Sequence, residues 1–427
     1  MASLNPVHAR KDAARPNLGY NPSVRLATKL KWIAILYFAE GLPFGIAYDV
    51  WPVYFRTHGV SLTAIGFMSL LSLPWSLKLF WAPAVDRWGQ RQHWIALSLS
   101  LLGLSQAILP ALEPASSGVW LWAALLLFTV ASATQDIAID AYAVDVASPG
   151  EEGAINGVRV TAARVALLLG GGGLITTAGW WGFPPLFLAT AALFWVLAVV
   201  AWRSPRVARA REHRKKVLEP VLKWLLRPRM APVLAFTLLF KLGDATLGRM
   251  VKPFWVDRGY TLEEIGLISI SLGTLLTILG ALAGGWFTGR FGIFAGLLWL
   301  GLGQMVSNLG YVAVALLPLP RKSIYLASAL ESFTQGLGTA AFLSFLMSQC
   351  KKAHSATQYA LLSATFALSR DLVGALSGLG VDRLGYGLYF ALTTALAIPG
   401  LLLLLPLRRI LPRSGSLSGS VPSEEQS

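Results

Sequence analysis

The chain has 427 residues, of which 55% are apolar and only 13% are charged. A soluble protein normally carries about 25% charged residues, so this composition excludes a chain whose surface mainly faces water. The one cysteine, Cys350, excludes a disulfide framework and a cysteine-based zinc cluster. The net charge of +15 would suggest a nucleic-acid partner in a soluble protein, but the placement of the charges along this chain has another explanation.

The N-terminal segment does not resemble a cleavable signal peptide. Residues 1–30 are mostly polar and contain three prolines, which predicts a disordered cytoplasmic tail. The first apolar run begins after Lys31, is about 25 residues long and has no small-residue cleavage site behind it. We therefore expect this run to remain in the protein as its first membrane helix.

Apolar windows long enough to cross a bilayer follow one another along nearly the whole chain. A spanning helix needs roughly 20 mostly apolar residues, and glycine and proline separate the successive windows. These patterns predict an all-α membrane protein with twelve transmembrane helices. The predicted spans are 31–55, 62–82, 94–112, 118–146, 153–179, 183–203, 230–256, 263–287, 293–317, 324–349, 357–380 and 385–408.

Lysine and arginine are unevenly distributed between the two sides that these spans define. With both termini on one side, the segments on that side hold 24 of the 36 Lys and Arg residues, whereas the opposite loops hold six, Lys252 among them. The positive-inside rule then predicts cytoplasmic termini in the cell inner membrane. It explains the excess positive charge without nucleic acid, and it makes 204–229 a basic cytoplasmic linker and 409–427 a disordered cytoplasmic tail.

The two halves of the chain resemble each other at a shift of about 200 residues. Segment 59–66 (GVSLTAIG) matches 259–266 (GYTLEEIG), and 132–135 (SATQ) matches 332–335 (SFTQ). Further matches are 51–55 with 252–256 and 87–89 with 290–292. The shift spans six helices, an even number, so both halves have the same orientation. Parallel six-helix halves around a midplane cavity are the major facilitator arrangement, in which rocking of the halves gives alternating access. The predicted halves are 31–203 and 230–408.

Helices 2 and 4 carry motifs of a known transporter group. Residues 73–87 (LPWSLKLFWAPAVDR) resemble the F-K-F-x-W-x-P-x-x-D-R segment of the AmpG muropeptide permeases, and 133–141 (ATQDIAIDA) resembles their helix 4. Residues 41–45 (GLPFG) in helix 1 look like the same group, whereas the C-terminal half matches only in general pattern. The resemblance implies proton-driven import of a bulky, polar, usually anionic molecule such as a muropeptide. Siderophore and acyl-CoA-type permeases belong to the same group, so these substrates remain alternatives.

The loop after helix 2 resembles a second, more general signature. Residues 86–91 (DRWGQR) are a degenerate form of the facilitator loop G-x-x-x-D-R-x-G-R-[RK], without its leading glycine. The resemblance implies a conformational latch on the cytoplasmic side, formed by Asp86, Arg87, Gly89 and Arg91. In such a latch the Asp86 carboxylate would meet a helix N-terminus, which favours negative charge. A basic turn that only fixes the topology is the alternative.

Apart from the charges at the span ends, seven acidic and six basic residues lie inside the predicted spans, although a charge at the bilayer centre costs several kcal/mol. If helices 4 and 5 are antiparallel neighbours, counting from their cytoplasmic ends places Asp140 level with Arg159. The same count places Asp136 level with Arg164. Asp136 and Asp140 share a helix face because they are four residues apart. We predict a buried functional network of these two pairs with Gln135, and mutual charge neutralisation alone is the alternative.

Proton coupling requires a carboxylate that changes its charge between conformations. Burial favours the protonated form of such a group, and a nearby arginine favours the ionised form. Glu40 has no obvious partner in its own helix, and Asp136 is predicted beside Arg164, so both acids are candidate proton carriers. Lys78 lies near the inner end of its helix, where it either joins the site or extends towards the headgroups.

The second half offers a further set of candidates. Arg249 and Arg370 could bind substrate anions bidentately. Lys241 is a candidate for the same site, but it lies three residues before Asp244 and could simply pair with it.

Several function classes lack their motifs. No Gly-x-x-x-x-Gly-Lys-Ser/Thr nucleotide loop is present, so ATP is not expected to drive transport within this chain. All five histidines lie in predicted tails or loops, which argues against an intramembrane enzyme that uses histidine or a metal. We expect no cofactor, no metal and no nucleic acid, and a monomer whose partners are the small-molecule substrate, protons and the lipid bilayer. A channel and a non-transporting receptor are the rival classes.

Overall fold

The computed structural model describes residues 25–114, 118–148, 151–206, 227, 230–350 and 355–408. Within them the chain is helical and no strand occurs. The predicted tails and linker lie largely outside these residues. The helices of the first half are α1 Leu26–Thr57, α2 62–87, α3 Arg91–Ala111, α4 Gly118–Val146, α5 152–181 and α6 Phe183–Trp202. Those of the second half are α7 Met230–Asp257, α8 Leu262–Phe291, α9 Ile293–Leu316, α10 Ser323–Ser348, α11 355–384 and α12 386–407.

These helices are consistent with the twelve predicted spans. Nine helical stretches of the described residues are long and apolar enough to cross a bilayer, and the last of them, Leu361–Leu407, contains two spans. It divides at Gly385, whose φ of 71° lies in the left-handed region. The remaining two helices are α2, which is shorter in its apolar part, and α10. The clearest boundary difference is at α1, which begins at Leu26, five residues before the predicted span.

The internal repeat predicted from sequence is present in the structure as repeated packing. Tyr54 at the end of α1 contacts Phe183 and Phe187 of α6, with ring centroids 5.0 and 4.9 Å apart. At the equivalent place in the second half, Phe254 contacts Tyr386 and Phe390, at 4.9 and 5.3 Å. Because aromatic pairs prefer edge-to-face or tilted geometry at these separations, each cluster fixes a helix crossing. The two halves therefore reproduce the same helix arrangement with different side chains.

The turns of the repeat also correspond. Gly59 and Gly259 both adopt positive φ, at 76° and 71°. The residues that follow, Ser61 and Thr261, cap the next helix by accepting a hydrogen bond from the backbone N–H three residues on. The match between 59–66 and 259–266 is thus a repeated turn and helix start.

Helix 1 lies between helices 4 and 5 in the first half. Helix α1 packs along α5 on one side and against α4 on the other, while α4 packs mainly against α3. Glycine allows the close approach of α1 and α5, because a Cβ on Gly45 would lie 2.7 Å from the backbone of Gly170. The predicted neighbour relation of α4 and α5 is therefore wrong, and any contact between their side chains must reach past α1.

The described contacts between the two halves run from one end of the bundle to its middle. We call the end that carries turns 58–61 and 258–261 the closed end. There Arg56 forms a two-pronged ion pair with Asp257, at 2.5 and 2.8 Å, and Thr63 donates its backbone N–H to Asp382 at 3.0 Å. Below this layer α2 packs on α11 so closely that a Cβ on Gly66 would lie 2.7 Å from the backbone nitrogen of Gly378.

Candidate functional site

A cluster of charged and polar side chains from four helices lies inside the first half. Its members are Tyr37 and Glu40 of α1, Lys78 of α2, Asp136 and Asp140 of α4, and Arg159 of α5. The ammonium of Lys78 bonds to the Asp136 carboxylate and lies 3.9 Å from Asp140. Arg159 forms an ion pair with Asp140 at 2.7 Å, and the Tyr37 hydroxyl donates to the same carboxylate at 2.8 Å.

The structure brings together most of the predicted network but changes one pair. Asp140 pairs with Arg159 as predicted, across Tyr37, whose ring lies 4.7 Å below the Arg159 guanidinium. Asp136 does not pair with Arg164; its partner is Lys78. Helix α1 separates α4 from α5, and of the two predicted pairs only Asp140 and Arg159 meet. Arg164 instead lines a cavity between the halves.

The three carboxylates of this cluster lie close together, and Gln135 precedes one of them in the chain. One carboxylate oxygen from each of Glu40, Asp136 and Asp140 lies within 4.8 Å of the others. The Glu40 Oε2 atom and both amide atoms of Gln135 are buried and have no hydrogen-bond partner among the described residues. Such spacing could hold a metal, but Lys78 already lies against Asp136 where a cation would bind. Three carboxylates therefore face two cations, and one negative charge is uncompensated.

A second group of charged residues lies where the halves meet. Arg249 of α7 and Arg370 of α11 both bond to the Asp371 carboxylate, at 3.2 and 3.3 Å, and Asp371 is fully buried. Both guanidinium groups also lie over the Tyr48 ring of α1, at 4.9 and 5.4 Å, a favourable cation–π arrangement. Ser76 of α2 donates to Asp371 at 3.2 Å. This group joins helices of both halves and carries two cations against one carboxylate.

Aromatic rings extend this group into the first half. Phe44, Tyr48 and Trp75 stack, with Phe44 and Trp75 centroids 4.7 Å apart and Tyr48 and Trp75 centroids 6.0 Å apart. Tyr48 lies in a π-helical turn of α1, Ile46–Val50, a type of irregularity that is common at functional sites. All three rings are only half-buried, so their faces remain available beside the two arginines.

The buried charges of the second half form a separate, tighter cluster. Helix α7 is interrupted at Lys241, which is 5% exposed. Its ammonium bonds to Asp244 at 3.2 Å and to Gln304 of α9 at 2.6 Å. Asn308 adds a bond to Asp244 at 3.3 Å. Lys241 and Asp244 thus form the simple pair that their spacing allowed, supported by two amides.

The described contacts of loop residues 86–91 are mainly with other residues of the first half. Arg91 bonds to Asp145 at 3.3 Å and to the Val85 carbonyl at 3.1 Å. Gly89 has a φ of 64°, which a residue with a side chain would strain. Arg87 is exposed, and the side chain of Asp86 lies outside the described part of the structure, so the predicted helix contact of Asp86 remains a prediction.

A further tie on this side of the first half joins the start of α1 to the start of α5. The Lys29 ammonium donates to Ser148 and, at 2.8 Å, to Glu151. The hydrogen bond from Lys29 holds the pKa of the Glu151 carboxyl below its ordinary value.

Comparisons with known proteins agree with this architecture. The family model of the Major Facilitator Superfamily matches residues 33–370. The anhydromuropeptide permease of Escherichia coli (strain K12) is 32% identical over 390 residues, which cover 89% of this chain and 79% of that protein. The chain belongs to the Major Facilitator Superfamily, in its AmpG permease group. The transporter AmpG 4 of Rickettsia felis is 28% identical over 88% of this chain and 96% of its own length. The crystal structure of the nucleoside transporter NupG superposes with a TM-score of 0.69 at 15% identity, over 91% of this chain and 99% of that one, which shows a shared fold.

In this AmpG-group permease, a multi-pass membrane transporter, three residues of the polar groups are not evident from the sequence. Lys252 was counted with the outer loops, but it lies within α7 and pairs with Asp49 of α1 across the halves at 3.0 Å. Tyr37 and Tyr48 carry no charge, so a search for charged residues in spans passes over them. Only their position in the sequence points to them, since each lies within one helical turn of an acidic residue of helix 1, Glu40 or Asp49.

Proposed function

We propose that this permease imports an anhydromuropeptide-like, anionic solute together with protons, across the cell inner membrane and with both termini cytoplasmic. The observation that carries the proposal is the pair of unbalanced charge groups: a positive surplus between the halves and a negative surplus inside the first half. The first suits an anionic substrate and the second suits a proton.

The group between the halves has the chemistry to recognise a sugar-linked peptide. Arg249 and Arg370 share one carboxylate, Asp371, so one positive charge remains for a substrate carboxylate. The half-buried rings of Phe44, Tyr48 and Trp75 offer apolar faces on which the C–H faces of a sugar can pack. A muropeptide contains both amino-sugar rings and peptide carboxylates. The name of the Escherichia coli relative supports the same class of substrate.

The cluster in the first half has the chemistry to carry a proton. Glu40, Asp136 and Asp140 are too close for all three to remain ionised with only Lys78 and Arg159 as counter-ions. A proton on Glu40, whose Oε2 has no described partner, restores neutrality. If Lys78 or Arg159 moves towards Glu40 when the halves rock, the ionised form of Glu40 is favoured and the proton is released. This mechanism needs no nucleotide.

Alternating access then follows from the contacts between the halves. The described contacts seal the closed end, which the positive-inside rule places outside the cell, so this conformation would exchange substrate with the cytoplasm. We propose that 31–203 and 230–408 rock as two units linked by 204–229, and that Asp86, Arg87, Gly89 and Arg91 act as a latch on the cytoplasmic side. We also propose a monomer, since each chain contains both halves of the pathway.

The test is transport by the purified protein in sealed proteoliposomes. With an inward proton gradient, a radiolabelled anhydromuropeptide should accumulate, and a protonophore should abolish accumulation while leaving counterflow. Accumulation that survives the protonophore and follows sodium would refute proton coupling. Thermal stabilisation by a siderophore or an acyl-CoA, but not by the muropeptide, would refute the substrate class. Absence of counterflow with every ligand that binds would indicate a receptor.

A matched pair of arginine variants tests the anion site. Arg249→Gln should raise the KM for the muropeptide about tenfold or more, because one charge-assisted bond to the substrate is lost. Arg290→Gln removes an exposed arginine at the end of α8, away from the site, and should transport like the parent. Equal transport by both variants would remove Arg249 from the anion site.

A further inference from the structure

A cavity of about 210 Å³ lies between the two halves. Helices α1 and α5 of the first half and α7, α8, α9 and α10 of the second supply its walls. Pockets that hold whole drug-sized ligands usually measure about 300–1,000 Å³. This space is therefore suited to one end group of a larger molecule.

Four charged side chains line the cavity, and two of them neutralise each other. Asp49 of α1 and Lys252 of α7 form an ion pair at 3.0 Å that crosses the halves. The other two are Arg164 of α5 and Glu331 of α10. Neither of these takes part in an ion pair among the described residues. The first half therefore contributes a cation, and the second half a carboxylate, that has no ion-pair partner within 4 Å among the described residues.

The surroundings of Glu331 and Arg164 differ in a way that suits a ligand. Glu331 is only 7% exposed, yet the hydrogen bonds to its carboxylate come from neutral side chains of its own helix, Gln335 at 3.3 Å and Ser332. Arg164 is exposed in the cavity wall. The Tyr311 hydroxyl, fully buried in the same wall, has no hydrogen-bond partner among the described residues. A buried carboxylate without an ion-pair partner and a buried hydroxyl without a hydrogen-bond partner are both costly, so a bound group that satisfies them would be favoured.

The cavity also lies at an irregular point of three helices. Beside it, the π-helical turn Leu168–Gly173 of α5 packs on two others, Ile46–Val50 of α1 and Ile265–Leu272 of α8. A Cβ on Gly172 would clash with Ser271 across the halves. Such π-helical turns often mark functional sites. Because both halves contribute, a ligand in this cavity would tie one half to the other.

We propose that this cavity is a subsite for a zwitterionic end group, with Arg164 binding a carboxylate and Glu331 an ammonium of the same solute. The proposal rests on the proposed transport of a muropeptide and specifies which part of it enters here: a peptide residue that carries both a free ammonium and a free carboxylate. An end group with only one of these charges leaves either Glu331 or Arg164 uncompensated.

Three chemically related probes test the subsite by isothermal titration of the purified protein in detergent. They are an anhydromuropeptide whose last peptide residue has free ammonium and carboxylate groups, its carboxamide form and its N-acetyl form. The parent probe should bind about tenfold or more tightly than either blocked form, the loss expected for one hydrogen-bonded charge. Equal affinity for all three probes would overturn the subsite and leave muropeptide transport intact. Failure of all three to bind or exchange would instead refute the proposed function.

Two variants test which side chain binds which charged group of the probe. Arg164→Gln should lose the preference for the free carboxylate while still preferring the free ammonium, and Glu331→Gln should show the reverse. Arg290→Gln should retain both preferences. If Arg164→Gln or Glu331→Gln keeps the full preference of the parent, the assignment is wrong. Arg164→Lys, which keeps the charge, should retain part of the carboxylate preference, and it serves if the glutamine variant does not fold.

Discussion

The two polar clusters of this permease, one in each half, differ in how their charges are balanced. In the first half, three carboxylates face two cations, and Arg159 and Asp140 are 40% and 35% exposed. In the second half, Lys241 and Asp244 form one pair, 6% and 11% exposed, with two amides beside them. The first cluster can gain or lose a charge with access to solvent, whereas the Lys241–Asp244 pair of the second is neutral and enclosed.

This difference contrasts with what the halves share. The aromatic contacts of Tyr54 and Phe254 and the glycine turns at 59 and 259 are repeated almost unchanged. The two halves thus share their helix packing and turns, and they differ in their buried charges. We infer that the unbalanced cluster serves transport and that the balanced one serves stability.

The largest effect that tests this contrast is expected at Asp136. Asp136→Asn removes the carboxylate that bonds to Lys78 and leaves two carboxylates facing two cations, so the surplus negative charge disappears and proton-driven accumulation should be lost. The double variant with Lys78→Gln removes a matched pair and leaves two carboxylates facing one cation, so it should fold, yet it should still fail to accumulate substrate because the Asp136 carboxylate itself is absent. Uptake by proteoliposomes and thermal unfolding measure the two properties separately. If the double variant accumulates substrate at the parental rate, Asp136 and Lys78 only neutralise each other and take no part in proton coupling.

The second half should respond in the opposite manner. Lys241→Met strands the buried Asp244 carboxylate and should cost about 3–5 kcal/mol of stability, the loss typical of a broken buried pair. Adding Asp244→Asn should recover most of the stability and, with it, transport. Thermal unfolding and counterflow of the double variant decide the matter. A stable double variant that does not transport would show that Lys241 takes part in the mechanism. The proposed contrast between the clusters of the two halves would then be wrong.

The same residues show how far sequence reasoning reaches. Depth along a helix is readable from the sequence, so Asp140 and Arg159 were matched correctly. The direction in which a side chain leaves the helix, and which helix lies next to it, are tertiary properties. For that reason Asp136 was assigned to Arg164, although Lys78 of α2 lies closer. Lys252 was assigned to a loop because it lies near the end of an apolar window, and only the fold places Asp49 opposite it.

A smaller effect is expected at the ion pair that joins equivalent positions of the two halves. Arg56 and Asp257 lie at equivalent positions of α1 and α7 and lock the closed end, each about one-quarter exposed. Asp257→Asn should weaken the lock by about 1 kcal/mol, the upper range for exposed ion pairs, and populate the conformation open at this end about fivefold more. In a Cys350→Ser background, a thiol reagent should label Ser69→Cys, buried beneath the lock, correspondingly faster. The Arg56→Asp and Asp257→Arg double exchange should restore slow labelling, and unchanged labelling of Asp257→Asn would show that the lock does not hold this end.

The smallest effects should be equal in the two halves, because they concern the shared turns. Gly59 and Gly259 both have positive φ and open space around the missing Cβ, so alanine meets no clash there and experiences only backbone strain. Gly59→Ala and Gly259→Ala should each destabilise by about 1–2 kcal/mol, the cost of the left-handed conformation for an L-residue, without changing the KM for substrate. Gly303→Ala, at an open position inside α9 with ordinary helical geometry, should instead stabilise by roughly 0.5–1 kcal/mol, because alanine loses less entropy in a helix. Unfolding of the three variants in one detergent measures these differences. If Gly59→Ala alone abolished transport, the turn would belong to the mechanism of one half, and the division between shared packing and diverged charges would not hold.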